Sequence, residues 1–170
     1  MLTRRHACLL GSAFIAGLNT HSALAQAITA PTGKVILTIG GQVANGDKGP
    51  VVFDRDGLEA LGMDSFETMT PWYASKVKFE GVSMAKLMRV VGAKGQKLSV
   101  SALNDYTTEI PMEDFGKYNV ILALKRDGQY MPVSDKGPLF IVYPFDANPE
   151  LKTQKYYGRS AWQVARMVVA

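Results

Sequence analysis

Asn119-Val-Ile-Leu-Ala-Leu-Lys-Arg-Asp-Gly-Gln-Tyr-Met-Pro132 holds two extended runs, residues 119–124 and 129–132, on either side of Arg126-Asp127-Gly128. Asp-Gly between β-forming runs is a strong hairpin signal, because both residues tolerate the positive φ that a tight, correctly twisted turn requires. An antiparallel hairpin is therefore predicted here, and the rest of the chain arranges itself around it. Residues 98–103 and 106–110 read as a further strand pair meeting at Asn104-Asp105, and residues 139–143 and 160–169 complete the sheet. Alternation along the last strand puts Trp162, Val164 and Arg166 on one face and Gln163, Ala165 and Met167 on the other, so Trp162 reads as core. One helical turn is expected over residues 111–115, with Pro111 at its first position.

Upstream, the apolar β-branched run of residues 34–39 reads as a buried strand closed by Gly40-Gly41. Asp54 suits the N-cap of a short helix over residues 55–61, and residues 65–70 read as a strand ending at Pro71-Trp72-Tyr73. The clearest helix spans residues 84–91. Met84, Leu87, Met88 and Val91 fall at i, i+3, i+4 and i+7, Ser83 can cap the start and Gly92 can close the end. Strands outnumber helices, so the class is α+β, with a mixed sheet and short helices around one core.

The 170 residues suit one domain. Residues 1–25 have a basic start at Arg4-Arg5, an apolar middle and an Ala23-Leu24-Ala25 end, the layout of a cleavable export signal too short and broken to span a bilayer. The expected organisation is a signal peptide at 1–25, a flexible lead-in at 26–33 and one domain at 34–170, in a periplasmic protein with no membrane insertion after cleavage. Arg4-Arg5 partly matches a twin-arginine signal, from which Ala7 departs; a basic start for general secretion fits as well.

His6, His21 and Cys8 are the chain's whole complement of histidine and cysteine, and all three lie in the expected leader. Residues 26–170 therefore lack thiolate and imidazole, which excludes Ser-His-Asp triads, disulfides and Cys/His metal sites there. Arg4 and Arg5 supply two of the chain's four net positive charges. The remainder is no nucleic-acid signature. An active site would have to be built from carboxylates, Lys, Tyr or Arg, and spacing does not show which of the 15 acidic residues converge.

Three stretches are candidate ligand platforms. Asn104-Asp105-Tyr106 sets polar groups beside an aromatic at a strand corner, which suits a planar heterocycle or simply a turn. Pro71-Trp72-Tyr73 is a stacking surface or a lid on the core. Tyr156-Tyr157-Gly158-Arg159 joins aromatics to a planar cation in what reads as a loop.

Phe79-Glu-Gly-Val-Ser-Met-Ala-Lys-Leu-Met88, Asn104-Asp-Tyr-Thr-Thr-Glu-Ile-Pro111, Ile121-Leu-Ala-Leu with Asp127-Gly128, and Gly137-Pro-Leu-Phe-Ile-Val-Tyr-Pro144 follow one another in an order and spacing that resembles the molybdopterin-binding domain of the sulfite-oxidase superfamily. The resemblance implies that fold. In catalytic relatives a cysteine thiolate ligates molybdenum and the Asp-Tyr pair lies beside the substrate. Here that thiolate is absent, and Phe140 stands where enzymes often carry Arg. Together with Tyr157-Gly-Arg-Ser-Ala-Trp-Gln163, these departures resemble a cysteine-less group of exported proteins that bind reduced pterins and report to a membrane protein with cyclic-di-GMP synthesis and degradation domains.

The resemblance thus implies a non-catalytic pterin sensor. Its ligand would be a reduced, non-metallated pterin, and its partner the exported domain of a membrane protein. Trp72 and Tyr106 would stack on the ring, Asp105 would accept from its donor edge, and Arg159 would meet its carbonyl or side chain. Neither catalytic residues nor metal ligands are expected. Two alternatives remain: an oxidoreductase holding molybdenum cofactor without a cysteine ligand, and a ligand-free docking module.

Overall fold

A computed structural model describes residues 30–44 and 46–170. The expected signal peptide at 1–25, with His6, Cys8 and His21, lies outside the described residues. In chain order the strands are β1 (Leu37–Gly41), β2 (Val51–Phe53), β3 (Asp64–Thr68), β4 (Val77–Ser83), β5 (Lys97–Ala102), β6 (Thr107–Pro111), β7 (Ile121–Arg126), β8 (Gln129–Tyr130), β9 (Phe140–Val142) and β10 (Val164–Val169). The helices are α1 (Arg55–Glu59), α2 (Met84–Val90), α3 (Glu113–Lys117) and α4 (Gln154–Arg159). The class is α+β, as predicted, but the strands divide between two five-stranded sheets. The first runs β2-β1-β10-β5-β6, and β1/β10 is its one parallel pair. The second runs β3-β4-β7-β8, with β9 paired to a different stretch of β7 than β8.

The hairpin forms where its turn chemistry places it. Asp127 (φ 48°) and Gly128 (φ 79°) take the left-handed conformation between β7 and β8, as a two-residue turn of matching twist requires. The Ser83 hydroxyl accepts from Lys86 N–H at 3.4 Å at the start of α2, whose Met84, Leu87 and Met88 are buried. A fully buried side chain such as Leu87 contributes roughly 1.5–3 kcal/mol. Asp54 caps α1 by accepting from Gly57 N–H at 2.8 Å, while its other oxygen accepts from Thr32 and Gly33 N–H at 2.9 and 2.8 Å. These donors, Gly33 first, hold the Asp54 carboxyl below the ordinary carboxylate range.

The structure departs from the sequence reading in several places, first in β1, which spans Leu37–Gly41 where a strand over 34–39 closed by Gly40-Gly41 is expected. β4 was not anticipated, although it pairs with both β3 and β7 and so runs through the middle of the second sheet. Gly81 sits in it at a register shift, so close to β7 that a Cβ there would lie 2.1 Å from the Leu122 carbonyl oxygen. The turn expected at 111–115 is shifted, because Pro111 ends β6 against Lys97 and α3 begins at Glu113. Residues 154–159 are helix, not loop. The last strand begins at Val164 instead of residue 160, and a bulge between Val164 and Arg166 breaks the predicted alternation, leaving Val164 and Met167 inside and Arg166 out.

The main core lies under the first sheet and α2, built from residues such as Leu37, Ile39, Leu87, Leu98, Val164 and Met167. A second apolar cluster of Val77, Phe79, Ile121, Phe140 and Val142 belongs to the second sheet, and Trp72 packs against both. The candidate site grows from that junction.

Candidate functional site

Three stretches far apart in sequence meet near Phe140. Trp72 comes from the turn after β3, Asn104 and Tyr106 from the β5–β6 corner, Gln154, Tyr157, Gly158 and Ser160 from α4 and its end, and Trp162 from the approach to β10. Together they line a cavity of about 230 Å³. Buried Phe140 packs behind the two tryptophans of the lining. Its ring meets Trp72 edge-on at 5.4 Å and Trp162 at 6.2 Å, and an isolated bridge pairs Phe140 with Trp162. Trp72 also packs edge-on against Trp162 at 5.6 Å and Tyr157 at 6.0 Å. Such perpendicular contacts lock ring orientations, adding about 0.5–1.5 kcal/mol per pair beyond area burial.

The polar groups have defined roles. The Tyr106 hydroxyl donates to the Gly158 carbonyl at 2.7 Å, tying the β5–β6 corner to α4. Asn104 Oδ1 accepts from Tyr106 N–H at 3.2 Å, which leaves its Nδ2 to donate elsewhere. Ser160 Oγ donates to the Tyr156 carbonyl at 3.0 Å, so its lone pairs remain open. None of the eight lining residues carries a charged side chain. The Lys136 ammonium lies 5.1 Å from the ring centres of both Tyr73 and Trp162, a cation–π contact beside the lining.

Of the four expected site residues, the structure brings Trp72 and Tyr106 into this cavity and leaves Asp105 and Arg159 out of its lining. Asp105 is exposed in the corner at φ 63°, while its neighbour Asn104 faces the cavity. The Arg159 guanidinium is engaged elsewhere: it donates to Asp114 Oδ2 at 2.8 Å, and its side chain is only 15% exposed. Buried Tyr143 donates to the same carboxylate oxygen at 2.8 Å. Burial first, then Asp114, push the Tyr143 phenol far above its ordinary range. Beside them Tyr156 is raised as well, chiefly by its hydrogen-bonded contact with Tyr118 at 3.3 Å. The Arg159 cation is thus neutralised inside the fold. Trp162, read as core, does pack against the second apolar cluster and lines the cavity as well, and Gln154 and Ser160 are lining residues that no sequence motif singled out.

Residues 57–146, just over half of the chain, match the oxidoreductase molybdopterin-binding domain family. The chain belongs to this family. No curated protein matches it. The site can be set against the family's cofactor in two parts. The lining suits a flat pterin ring, since Trp72, Tyr106, Tyr157 and Trp162 border the cavity together with the amides of Asn104 and Gln154. The metal end finds no match, since residues 26–170 contain no thiolate and no group of three or more His, Cys, Asp or Glu converges among the described residues. Residues 57–146 thus place a molybdopterin-binding domain here, and residues 26–170 carry no thiolate that could serve as a soft metal ligand.

Proposed function

We propose that this protein binds a reduced, non-metallated pterin without catalysis and reports its occupancy to the exported domain of a membrane protein that sets cyclic-di-GMP levels. One observation carries the ligand assignment: the cavity is walled by Trp72, Tyr106, Tyr157 and Trp162, offers two amides and no charge, and lies in a molybdopterin-binding domain. Aromatic walls favour a planar heterocycle. An uncharged lining favours a neutral ring, because a phosphate tail taken into it would meet no cation among the lining side chains to offset its lost hydration. At about 230 Å³ the space is smaller than the ~300–1,000 Å³ of drug-sized pockets, which suits a bicyclic ring better than a whole cofactor. In this reading Asn104 Nδ2 donates to the ring carbonyl and Gln154 meets the amide and amino edge. The export and signalling parts of the proposal draw on the leader-like residues 1–25 and on the Tyr157–Gln163 stretch.

The chain has two tryptophans and both line the cavity, so intrinsic fluorescence reports occupancy directly. Titration with 6-methyltetrahydropterin without oxygen is expected to change that emission saturably, and Trp72→Phe is expected to weaken the response. An emission unmoved by the pterin, with no heat of binding by calorimetry, would sink the ligand assignment. Family membership itself favours a second reading, an oxidoreductase holding molybdenum cofactor without cysteine. Stoichiometric molybdenum in protein purified from the exported fraction would establish it.

A further inference from the structure

Three of the exposed large apolar side chains, Val35 (42% exposed), Leu103 (54%) and Val133 (51%), line one groove of about 250 Å³. Ile36, Pro138 and Val164 deepen it, and Lys34 is the one charged residue in its lining. Lys34 forms no ion pair among the described residues. Grouped exposed aliphatics of this kind mark interaction surfaces more often than chance exposure does.

Gln163 joins this groove to the aromatic cavity. It sits between Trp162 of the cavity and Val164 of the groove. Its N–H donates to the Lys136 carbonyl at 3.0 Å, its carbonyl accepts from Leu103 N–H at 2.9 Å, and its Nε2 donates to the Val133 carbonyl at 2.7 Å. Its backbone is held at φ 54°, and the β10 bulge follows at once. A non-glycine residue in that region persists only where its surroundings over-determine it, so it is a point at which two arrangements can exchange. Gln163 thus ties the residue next to Trp162 to both exposed walls of the groove, Leu103 and Val133.

We infer that the groove of Val35, Leu103 and Val133 docks an aliphatic partner segment carrying a carboxylate that meets Lys34, and that Gln163 makes this docking depend on what fills the aromatic cavity. The apolar walls select the aliphatic part, and the lone cation selects the charge. The coupling rests on the reading of the cavity as a pterin site; the groove does not.

The test is selection of a phage-displayed short-peptide library on the mature protein, with and without saturating 6-methyltetrahydropterin. Aliphatic peptides bearing Asp or Glu are expected, with affinities that the pterin changes by about fivefold or more. Leu103→Asp and Val133→Asp should lose those peptides and keep pterin affinity, whereas Lys34→Glu should switch selection to basic peptides. Gln163→Glu, which keeps the shape but removes the donor to Val133, should bind both and lose the dependence of one on the other. No selected peptides, peptides indifferent to Leu103→Asp and Lys34→Glu, or a dimer dissolved by Leu103→Asp would each overturn the docking assignment, the last by giving the groove to a second copy. Peptides that dock as expected but ignore bound pterin would overturn the role of Gln163. If the pterin fails to bind while peptides still dock, the ligand assignment and the coupling fail and the groove stands.

Discussion

Arg159 and Asp105 are the charged pair that the sequence offered for a pterin, and the fold uses neither to line the cavity. Arg159 reaches Asp114, 45 positions away, a partner that no local spacing discloses. Asp105 takes the left-handed corner, which its short polar side chain tolerates, and its neighbour Asn104 points inward. Asp105→Asn is accordingly expected to leave pterin affinity unchanged by calorimetry, while Asn104→Ala should weaken it by about 0.5–1.5 kcal/mol, the worth of one neutral hydrogen bond. Asp114→Ala would strand Arg159 and the Tyr143 hydroxyl inside the protein. Removing one partner of a buried ion pair costs about 3–5 kcal/mol, so the urea midpoint should fall sharply. A variant as stable as the parent would show that Arg159 has another partner. Trp72 and Tyr106, which the resemblance puts on the ring, both line the cavity, although Trp72 packs on the core as well. Trp162 lines it too, which strand alternation hides because the bulge that follows breaks it.

Elements with their own local chemistry were readable in advance. The Asp127-Gly128 turn, the Ser83 cap and the i, i+3, i+4 stripe of α2 each depend on neighbours in sequence. Residues 154–159 read as loop because Gly158 weakens the helical signal; in the structure Thr153, at the N-cap of α4, makes no side-chain capping bond. β4 alternates buried and more exposed side chains from Val77 to Gly81, yet Gly81 inside it looks like punctuation. The structure gives that glycine its reason: it allows β4 and β7 to approach. Gly81→Ala, with a Cβ 2.1 Å from a carbonyl oxygen, must push β7 aside. Overpacking of this kind costs about 1–3 kcal/mol or more, and the check is chemical denaturation with circular dichroism. Undiminished stability would mean that the strand pair yields without cost.

Across the whole molecule the cavity depends on how the loop bearing Trp72 is fixed to the segment leading into α4. Asp146 does much of this. It accepts from Lys152 Nζ at 2.9 Å and from Met69 N–H at 2.9 Å, pairs with Lys76 at 3.4 Å, and its own N–H donates to the Thr68 hydroxyl at 3.1 Å. Lys152 first, then the Met69 N–H, lower its carboxyl from 3.8 to about 2. A carboxyl depressed in the folded state stabilises fully above its unfolded value and loses that contribution as pH falls through the folded one. Between about pH 4 and pH 2 the protein should therefore lose stability, and Asp146→Asn should be less stable at neutral pH with a flatter profile across that window, by thermal melts in low salt. Parallel profiles would remove Asp146 from this role. At this scale the sequence was least legible, since the two sheets and the cavity between their edges arise from contacts spanning tens of residues.

The central claim is that the molybdopterin-binding domain holds a pterin without metal. Native mass spectrometry of protein taken from the exported fraction without oxygen tests it most directly, because the mass added to the chain identifies the ligand class. The account predicts an added mass equal to a simple reduced pterin and no molybdenum. An added mass equal to molybdenum cofactor would contradict it and restore the enzyme.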